Sequence, residues 1–389
     1  MEPFGDVDVL DLTQSIAGPL STQLLGALGA SVVKVEPLEG DDFRSLLGGA
    51  VFASYNLGKR SLALDLKTED GREAAQELAA RADVVVESFR PGTLEQFGLD
   101  YDSVSEDNPE VVYCSVSGFG PEGPYSDRPA YDPILQSMSG LLSTTGYPDR
   151  PPVRVGASVI DCGTGMTAAF AVASALAERD RTGEGQRVEV SLFDVAVSWM
   201  GYWLAHYTAT GETPSRAERG GFAGLAPNGV FEAGDGRQLY VSAANDRQFR
   251  RLCDAIDRED LLDAYGTADE RWERREALSG ALSAAFEGYD REPLVAAFVE
   301  AGVPAGPVRT VDELLEDAHV RARELLTDTE TPSAGEIRTA GVPFATGDGR
   351  PPLPGRPPAL GEHTRAVLSE LGYTEEQIEA MLAAGAAVD

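Results

Sequence analysis

The stretch VDVLDLTQSIAGPLSTQLLGALGASVVKVE, residues 7–36, holds two short apolar runs separated by small and aliphatic residues. VDVLDL and SVVKVE have the length and β-branched content of buried strands, and STQLLGALG between them has the character of a helix. Strands joined through a helix lie parallel, because an antiparallel pair needs only a tight turn. The pattern continues outward. SLALDL (61–66), EDGREAAQELAARA (69–82), DVVVES (83–88) and VVYCSVSG (111–118) alternate strand and helix again. A parallel sheet covered on both faces follows, and with it an α/β domain. No turn carries GxGxxG, so a dinucleotide-binding fingerprint is not signalled, although the architecture would tolerate one.

Further along, a long helical pattern runs to Arg179, followed by the polar turn RTGEGQR, the strand-like VEVSLF and an aromatic-rich segment around Trp199, Tyr202 and Trp203. From about residue 210 to 227 the chain turns rich in Gly, Pro and Ala, the composition of an ordered loop or linker. Asp235-Gly236 between two strand-like runs signals a hairpin. Asn245 or Asp246 caps a helix whose Phe249, Leu252, Cys253 and Ile256 share one face. This region reads as a smaller α+β domain reaching to about residue 325. In the tail, Gly372 ends one helix and Thr374 to Gln377 form a capping box for the next.

Composition bounds the function. The 389 residues carry a formal charge of −32, and only Lys34, Lys59 and Lys67 are lysines among 32 basic residues, so 29 are arginine. That balance is halophile-like: molar salt screens such self-repulsion to about 3 Å. It argues against nucleic-acid binding, which needs a basic footprint. No run of eighteen uninterrupted apolar residues occurs and the N-terminus lacks a signal-peptide pattern, so a cytoplasmic location is expected. Cys114, Cys162 and Cys253 are too scattered for a disulfide framework or a CxxC metal site. Cys162 is either a buried thiol or a nucleophile without a histidine nearby in sequence.

VGASVIDCGTGMTAAFAVASAL, residues 155–176, sets Asp161 at the mouth of a helix of small residues. Asp161 either caps that helix or serves as a reagent, and a helix N-terminus favours the ionised carboxylate that attacks a carbonyl. Glycines 163 and 165 and alanines 168, 169 and 171 are expected to leave room for a bulky ligand there. No G-x-S-x-G elbow for a Ser/His/Asp hydrolase occurs.

LDLTQSIAGPLSTQLLGALGASVVKVEPLEGDDFR, YNLGKRSLALDLKTEDG, VVVESFRPGTLEQFGLDYDSV, PAYDPILQSMSGL, the Asp161 stretch, RTGEGQRVEVSLFD, VPAGPVRTVDELLEDAHVRAREL and LGEHT appear in this order from about residue 5 to the C-terminus. Together they resemble the class III CoA-transferases of the formyl-CoA and carnitine CoA-transferase type. The resemblance implies an interlocked, ring-like homodimer. Each subunit would have a discontinuous Rossmann-like large domain (1–210 and 326–389), a linker with a glycine loop (211–228) and a small α+β domain (229–325). It implies CoA transfer from an acyl-CoA to a free carboxylic acid, with no metal or redox cofactor and with coenzyme A thioesters as substrates. What family members in halophiles do suggests succinyl-CoA as donor and mesaconate or a similar dicarboxylate as acceptor.

By the same resemblance Asp161 is the nucleophile, carrying aspartyl anhydride and aspartyl-CoA thioester intermediates. Gly220 and Gly221 match a glycine loop over the aspartate, or form an ordinary linker. Ile16, Arg44, Lys59, Arg60, Phe89, Arg90, Pro91 and Gly92 match positions around CoA, with surface charge the alternative for each cation. Asp132 either assists transfer or simply begins a helix before Pro133. The rival readings are an α-methylacyl-CoA racemase, whose Gly-His-Asp segment is replaced here by Ala130-Tyr131-Asp132, and a non-catalytic CoA-binding paralogue. Tyr131 stands beside Asp132 as a candidate assisting residue, although a tyrosine, with a reference pKa near 10, replaces the racemase histidine poorly in two-base proton exchange.

Overall fold

In a computed structural model, the structure describes residues 2–222, 224–331, 335–353 and 355–389. The chain forms two compact units. One comprises Met1–Ser139, Gly156–Trp199 and Ala318–Asp389, the other Gly140–Val155 and Met200–Asp317. Residues 140–155 and 200–210, read from sequence as part of the large domain, thus cluster with the second unit, and the return to the first comes at 318.

The first unit is built on β1 (Asp8–Leu12), β2 (Ser31–Glu36), β3 (Arg60–Leu64), β4 (Val84–Glu87), β5 (Val112–Ser117) and β6 (Gln186–Ser191). They lie parallel in the order β3-β2-β1-β4-β5-β6. This is a doubly wound order, in which β1 and β4 flank the point where the winding reverses. The interstrand segments α1 (Ala17–Ala27), α2 (Ala50–Tyr55), α3 (Glu69–Arg81), α4 (Tyr101–Asp107), α5 (Asp132–Met138) and α6 (Val159–Thr182) are helical, and α7 (Leu192–Trp199) follows β6.

Alternate residues of the strands serve different faces. Leu10, Leu12, Val33, Val35, Leu62 and Leu64 join Ala74, Ala75 and Ala79 of α3 in one dry core. On the opposite parity, Asp11, Lys34 and Ser61 stand side by side across three strands, all fully buried. These are the first polar residues to note, because burial of that kind demands partners.

Helix α6 is long and apolar enough in composition to cross a membrane, yet Ile160, Thr164, Ala168, Val172 and Leu176 are buried at helical spacing. It packs closely on α1. A Cβ at Gly165 would stand 2.6 Å from the Ala17 carbonyl oxygen, and one at Gly163 would stand 2.3 Å from the Trp199 ring. The glycines therefore admit α1 and an indole, not the ligand expected from sequence. Gly165→Ala should force α1 and α6 apart at a cost of about 1–3 kcal/mol. Urea unfolding would show it as a lower midpoint, and an unchanged midpoint would refute the close packing.

The chain returns to this unit through α15 (Ala318–Ala322), the hairpin β10 (Leu326–Thr331) and β11 (Gly335–Ala340), then α16 (Thr364–Leu371) and α17 (Glu375–Ala384). α16 ends at Gly372, which has φ 103°, and α17 opens with the Thr374–Gln377 capping box. The last strand, β12 (Ala387–Val388), pairs antiparallel with β3 at the sheet edge.

The second unit contains α8 (Gly201–Thr210), β7 (Asn228–Glu232), β8 (Gln238–Ser242) and β9 (Ala305–Pro307) in one three-stranded sheet, with α9 (Asp246–Ala255) through α14 (Val311–Leu315) around it. β7 and β8 pair antiparallel across the turn at Gly236, with φ 74°. The Asn245 side chain accepts the Gln248 amide at the start of α9, and Phe249, Leu252, Cys253 and Ile256 are buried.

Candidate active site

The carboxyl ends of β1, β4 and β5 open on a cleft of about 340 Å³. Its walls include Gln14 and Ser15 from the loop after β1, Ser88 to Pro91 after β4, and Arg128 to Tyr131 after β5, and Asp161 stands in it. Ligands of doubly wound sheets bind at this topological position. A second pocket, about 240 Å³, lies at the carboxyl ends of β1, β2 and β3, lined by Leu12, Val35, Leu64, Leu66, Phe89, Phe97 and Lys67 among others. Gln14 and Phe89 belong to both walls.

Asp161 sits in the first turn of α6, three residues beyond the N-cap Ser158. The cap of this helix end is Asp132. Its buried carboxylate accepts the backbone N–H of Ile160 at 2.7 Å and of Asp161 at 3.3 Å, and the Gln136 side-chain amide at 2.6 Å. Thus Asp161 is relieved of the capping role open to it in the sequence, while Asp132 both begins α5 and closes α6. With the helix-end amides taken, the ionised form of Asp161 loses the help that a helix N-terminus would give. Burial, and then repulsion from Asp132, pushes the Asp161 carboxyl up to about 7, against a hydrogen bond with Ser158.

Beside it, burial raises the Cys162 thiol despite a contact with the Tyr55 hydroxyl at 3.8 Å. A thiol kept protonated is a poor nucleophile. Tyr131 is exposed on the cleft wall.

Phe89, Arg90 and Pro91 line the cleft, and Gly92 follows them with φ 79°. Ile16 is buried at the N-terminal boundary of α1; its neighbour Ser15 carries the positive φ of 70° and faces the cleft. The cations before and at the start of β3 have other places than the sequence suggested. Lys59 is buried, its ammonium donating to Asp11 at 2.9 Å, the Pro19 carbonyl at 2.9 Å and Asn56 at 2.8 Å. All three protons are used. Arg60, at the amino end of its strand and thus away from the ligand edge, grips Glu370. Arg44 forks onto Glu36 at 2.7 and 2.6 Å, donates to the Pro358 carbonyl and stacks on Phe52.

The buried polar belt braces the cleft from behind. Lys34 donates to the Thr13 carbonyl at 2.6 Å and pairs with Asp41 at 3.3 Å. Asp41 in turn receives the Ser15 amide and the Phe43 amide. Asp11 accepts from Thr13, Thr22 and Lys59. Burial alone would raise the Asp11 carboxyl, but Lys59 and Lys34 hold it far below the ordinary carboxylate range.

Three exposed cations around the two pockets, Lys67, Arg90 and Arg128, make no ion pair among the described residues. Neither Lys67 nor Arg128 stood out in the sequence. Lys67 carried a legible signal, since it follows the strand SLALDL at its ligand-binding end; Arg128 lies in a loop without periodicity and carried none. In the second unit, Gly220 has φ 68° and Gly221 lies against β7, where a Cβ would meet the Asn228 carbonyl oxygen at 1.9 Å. Among the described residues no group of three His, Cys, Asp or Glu side chains could hold a metal ion.

A sequence profile of CoA-transferase family III matches residues 4–364. The chain belongs to CoA-transferase family III. Over 387 residues it is 39% identical to the succinyl-CoA:mesaconate CoA-transferase of Haloarcula hispanica, an alignment covering 96% of this chain and 97% of that relative. It is 35% identical to the succinate–glutarate CoA-transferase of Agrobacterium fabrum, with 96% of each chain covered. Among solved structures, a CAIB/BAIF family protein from Brucella suis superposes with a TM-score of 0.86 at 36% identity, over 95% of this chain and 99% of that one. A family III member is a CoA-transferase, so its substrates include CoA thioesters.

Proposed function

We propose that this enzyme moves CoA from succinyl-CoA to a free dicarboxylic acid such as mesaconate, with Asp161 as the nucleophile. The observation that carries the reading is the position of Asp161: a carboxylate in a cleft at the switch point of the sheet, beside an apolar pocket that shares the walls Gln14 and Phe89. The flat, apolar adenine suits the pocket floored by Leu64, Leu66 and Phe97, and Lys67 and Arg90 at the rims suit the phosphates. The pantetheine arm then runs past Gln14 and Phe89 to bring the thioester to Asp161.

The Asp161 carboxylate attacks the thioester carbonyl and expels CoA thiolate, leaving a mixed anhydride. The thiolate attacks the aspartyl carbonyl of that anhydride, releasing succinate and forming the aspartyl-CoA thioester. The acceptor carboxylate attacks this thioester, thiolate departs again, and its attack on the acceptor carbonyl of the second anhydride regenerates Asp161. Each difficult exchange is divided into easier ones. The anhydrides must be kept from water.

The working form is a homodimer in a salty cytoplasm. Met166 and Phe170, exposed on α6, and Tyr202, Leu204 and Tyr207, exposed on α8, support a subunit interface, because isolated soluble chains rarely display so many large apolar side chains. The net charge and the Haloarcula relative support high salt.

Purified protein in molar potassium chloride, given succinyl-CoA and a panel of free acids, should form new acyl-CoA species by mass spectrometry. An absence of exchange with every acid tested sinks the reading. The pH profile gives a second check. Only ionised Asp161 attacks, so kcat/KM for succinyl-CoA should fall about tenfold per pH unit below about 7 and level off above it. A profile flat down to pH 5 would mean that the carboxylate titrates near its ordinary value.

A further inference from the structure

We infer that Arg128 reads the second carboxylate of a dicarboxylic acyl group and thereby sets the preference for dicarboxylates over monocarboxylates. The inference rests on the transferase reading above and adds a specificity-determining residue to it.

Arg128 lines the cleft in which Asp161 stands. Its guanidinium lies 4.1 Å from the centre of the Tyr125 ring, and that ring is itself held edge-on by Phe119 and Phe193 at 5.6 and 6.5 Å. An arginine laid on a fixed ring is already oriented, so little side-chain entropy is lost when it binds. Its planar fork matches a carboxylate. The chain holds 64 acidic residues against 32 basic ones, and most arginines of the first unit have found a carboxylate, as Arg44, Arg60 and Arg179 have. Arg128 makes no such pair among the described residues.

Arg90, the other cleft arginine, follows Phe89, which also lines the apolar pocket, and so belongs to the nucleotide end. Arg128 comes from a different wall, the loop after β5, which runs on within four residues to Asp132, whose carboxylate holds the Ile160 and Asp161 amides. Donor and acceptor acyl groups occupy the same place in turn when one aspartate serves both. A single guanidinium there therefore discriminates in both half-reactions, favouring any acyl group with a second carboxylate.

The test separates binding from turnover. Arg128→Leu and Arg128→Lys are compared with the unaltered protein in the same molar salt. Calorimetry gives the affinities for succinate, butyrate and free CoA, and mass spectrometry follows transfer from succinyl-CoA and butyryl-CoA. The leucine variant is expected to lose about 10–100-fold in succinate affinity and in kcat/KM for succinyl-CoA, the range for a hydrogen-bonded charged group. Butyrate, butyryl-CoA and free CoA should change little, and lysine should restore part of the loss. Unchanged succinate affinity overturns the inference, as does a loss confined to free CoA, which would make Arg128 a phosphate ligand. If the unaltered protein transfers nothing while the leucine variant still loses succinate, the transferase reading fails and the assignment of Arg128 stands.

Discussion

Asp161→Asn should leave a folded protein that binds CoA within about threefold of the unaltered affinity and transfers it at least about 10⁴-fold more slowly, the scale on which loss of a covalent nucleophile is felt. The amide keeps the shape and cannot form the anhydride. The aspartyl-CoA thioester, seen as a CoA adduct on the peptide containing residue 161, should vanish with it. Residual transfer above one part in a hundred would move the nucleophile elsewhere.

The same substitution has a signature in stability. Asp161 has its carboxyl raised from 3.8 to about 7 in the folded protein, so the fold favours the protonated form. Its contribution to stability is full below about pH 4 and is lost as pH rises through 7, where the buried charge opposes folding. The displacement corresponds to at most about 4 kcal/mol. The substituted amide carries no such charge. The variant should therefore melt higher than the unaltered enzyme at pH 8, with the difference shrinking towards pH 4. A lower melting point at pH 8 would show that Asp161 is not held against its charge.

Lys59→Met should be the most damaging single change to the fold. It strands the buried Asp11 carboxylate and removes donors from the Pro19 carbonyl and Asn56. Breaking a buried ion pair by removing one partner costs about 3–5 kcal/mol, whereas replacing both partners with apolar groups is often neutral. Denaturant unfolding should show the loss, and Asp11→Leu added to Lys59→Met should recover part of it. CoA affinity per folded molecule should stay unchanged. If the single variant is stable and binds CoA weakly, Lys59 is a phosphate ligand after all.

The sheet was readable because VDVLDL, SVVKVE, SLALDL and DVVVES are short apolar runs separated by helical ones, and that alternation permits little except a parallel sheet. The Asp235-Gly236 turn and the Thr374 capping box were readable because their chemistry is local. Lys59 was not. A lysine in the polar segment NLGKRS looks like a surface cation, and only the packing of α1 over β1 and β2, which brings Pro19 and Asp11 to its ammonium, buries it. Arg60 misled for a related reason, since strand direction decides which end meets a ligand. The Asp132–Asp161 relation spans 29 residues and arises where the starts of α5 and α6 meet, which no periodicity encodes. Gly163 and Gly165 were read as room for a bulky ligand, whereas the space beside them is taken by the Trp199 indole and by α1, which only the tertiary packing decides.

Helix α6 has 24 residues, a rod about 36 Å long, with Asp161 in its first turn and Arg179 near its far end tied to Asp83 at 2.9 Å. A group mounted there has almost no freedom to travel. Under the proposed mechanism such a mount is a fixed post rather than a swinging arm: the thiolate would step between neighbouring carbonyl carbons while the protein atom stays in place. On that mechanism the moving parts are the acids and the loops at the cleft rim, not the helix that carries Asp161.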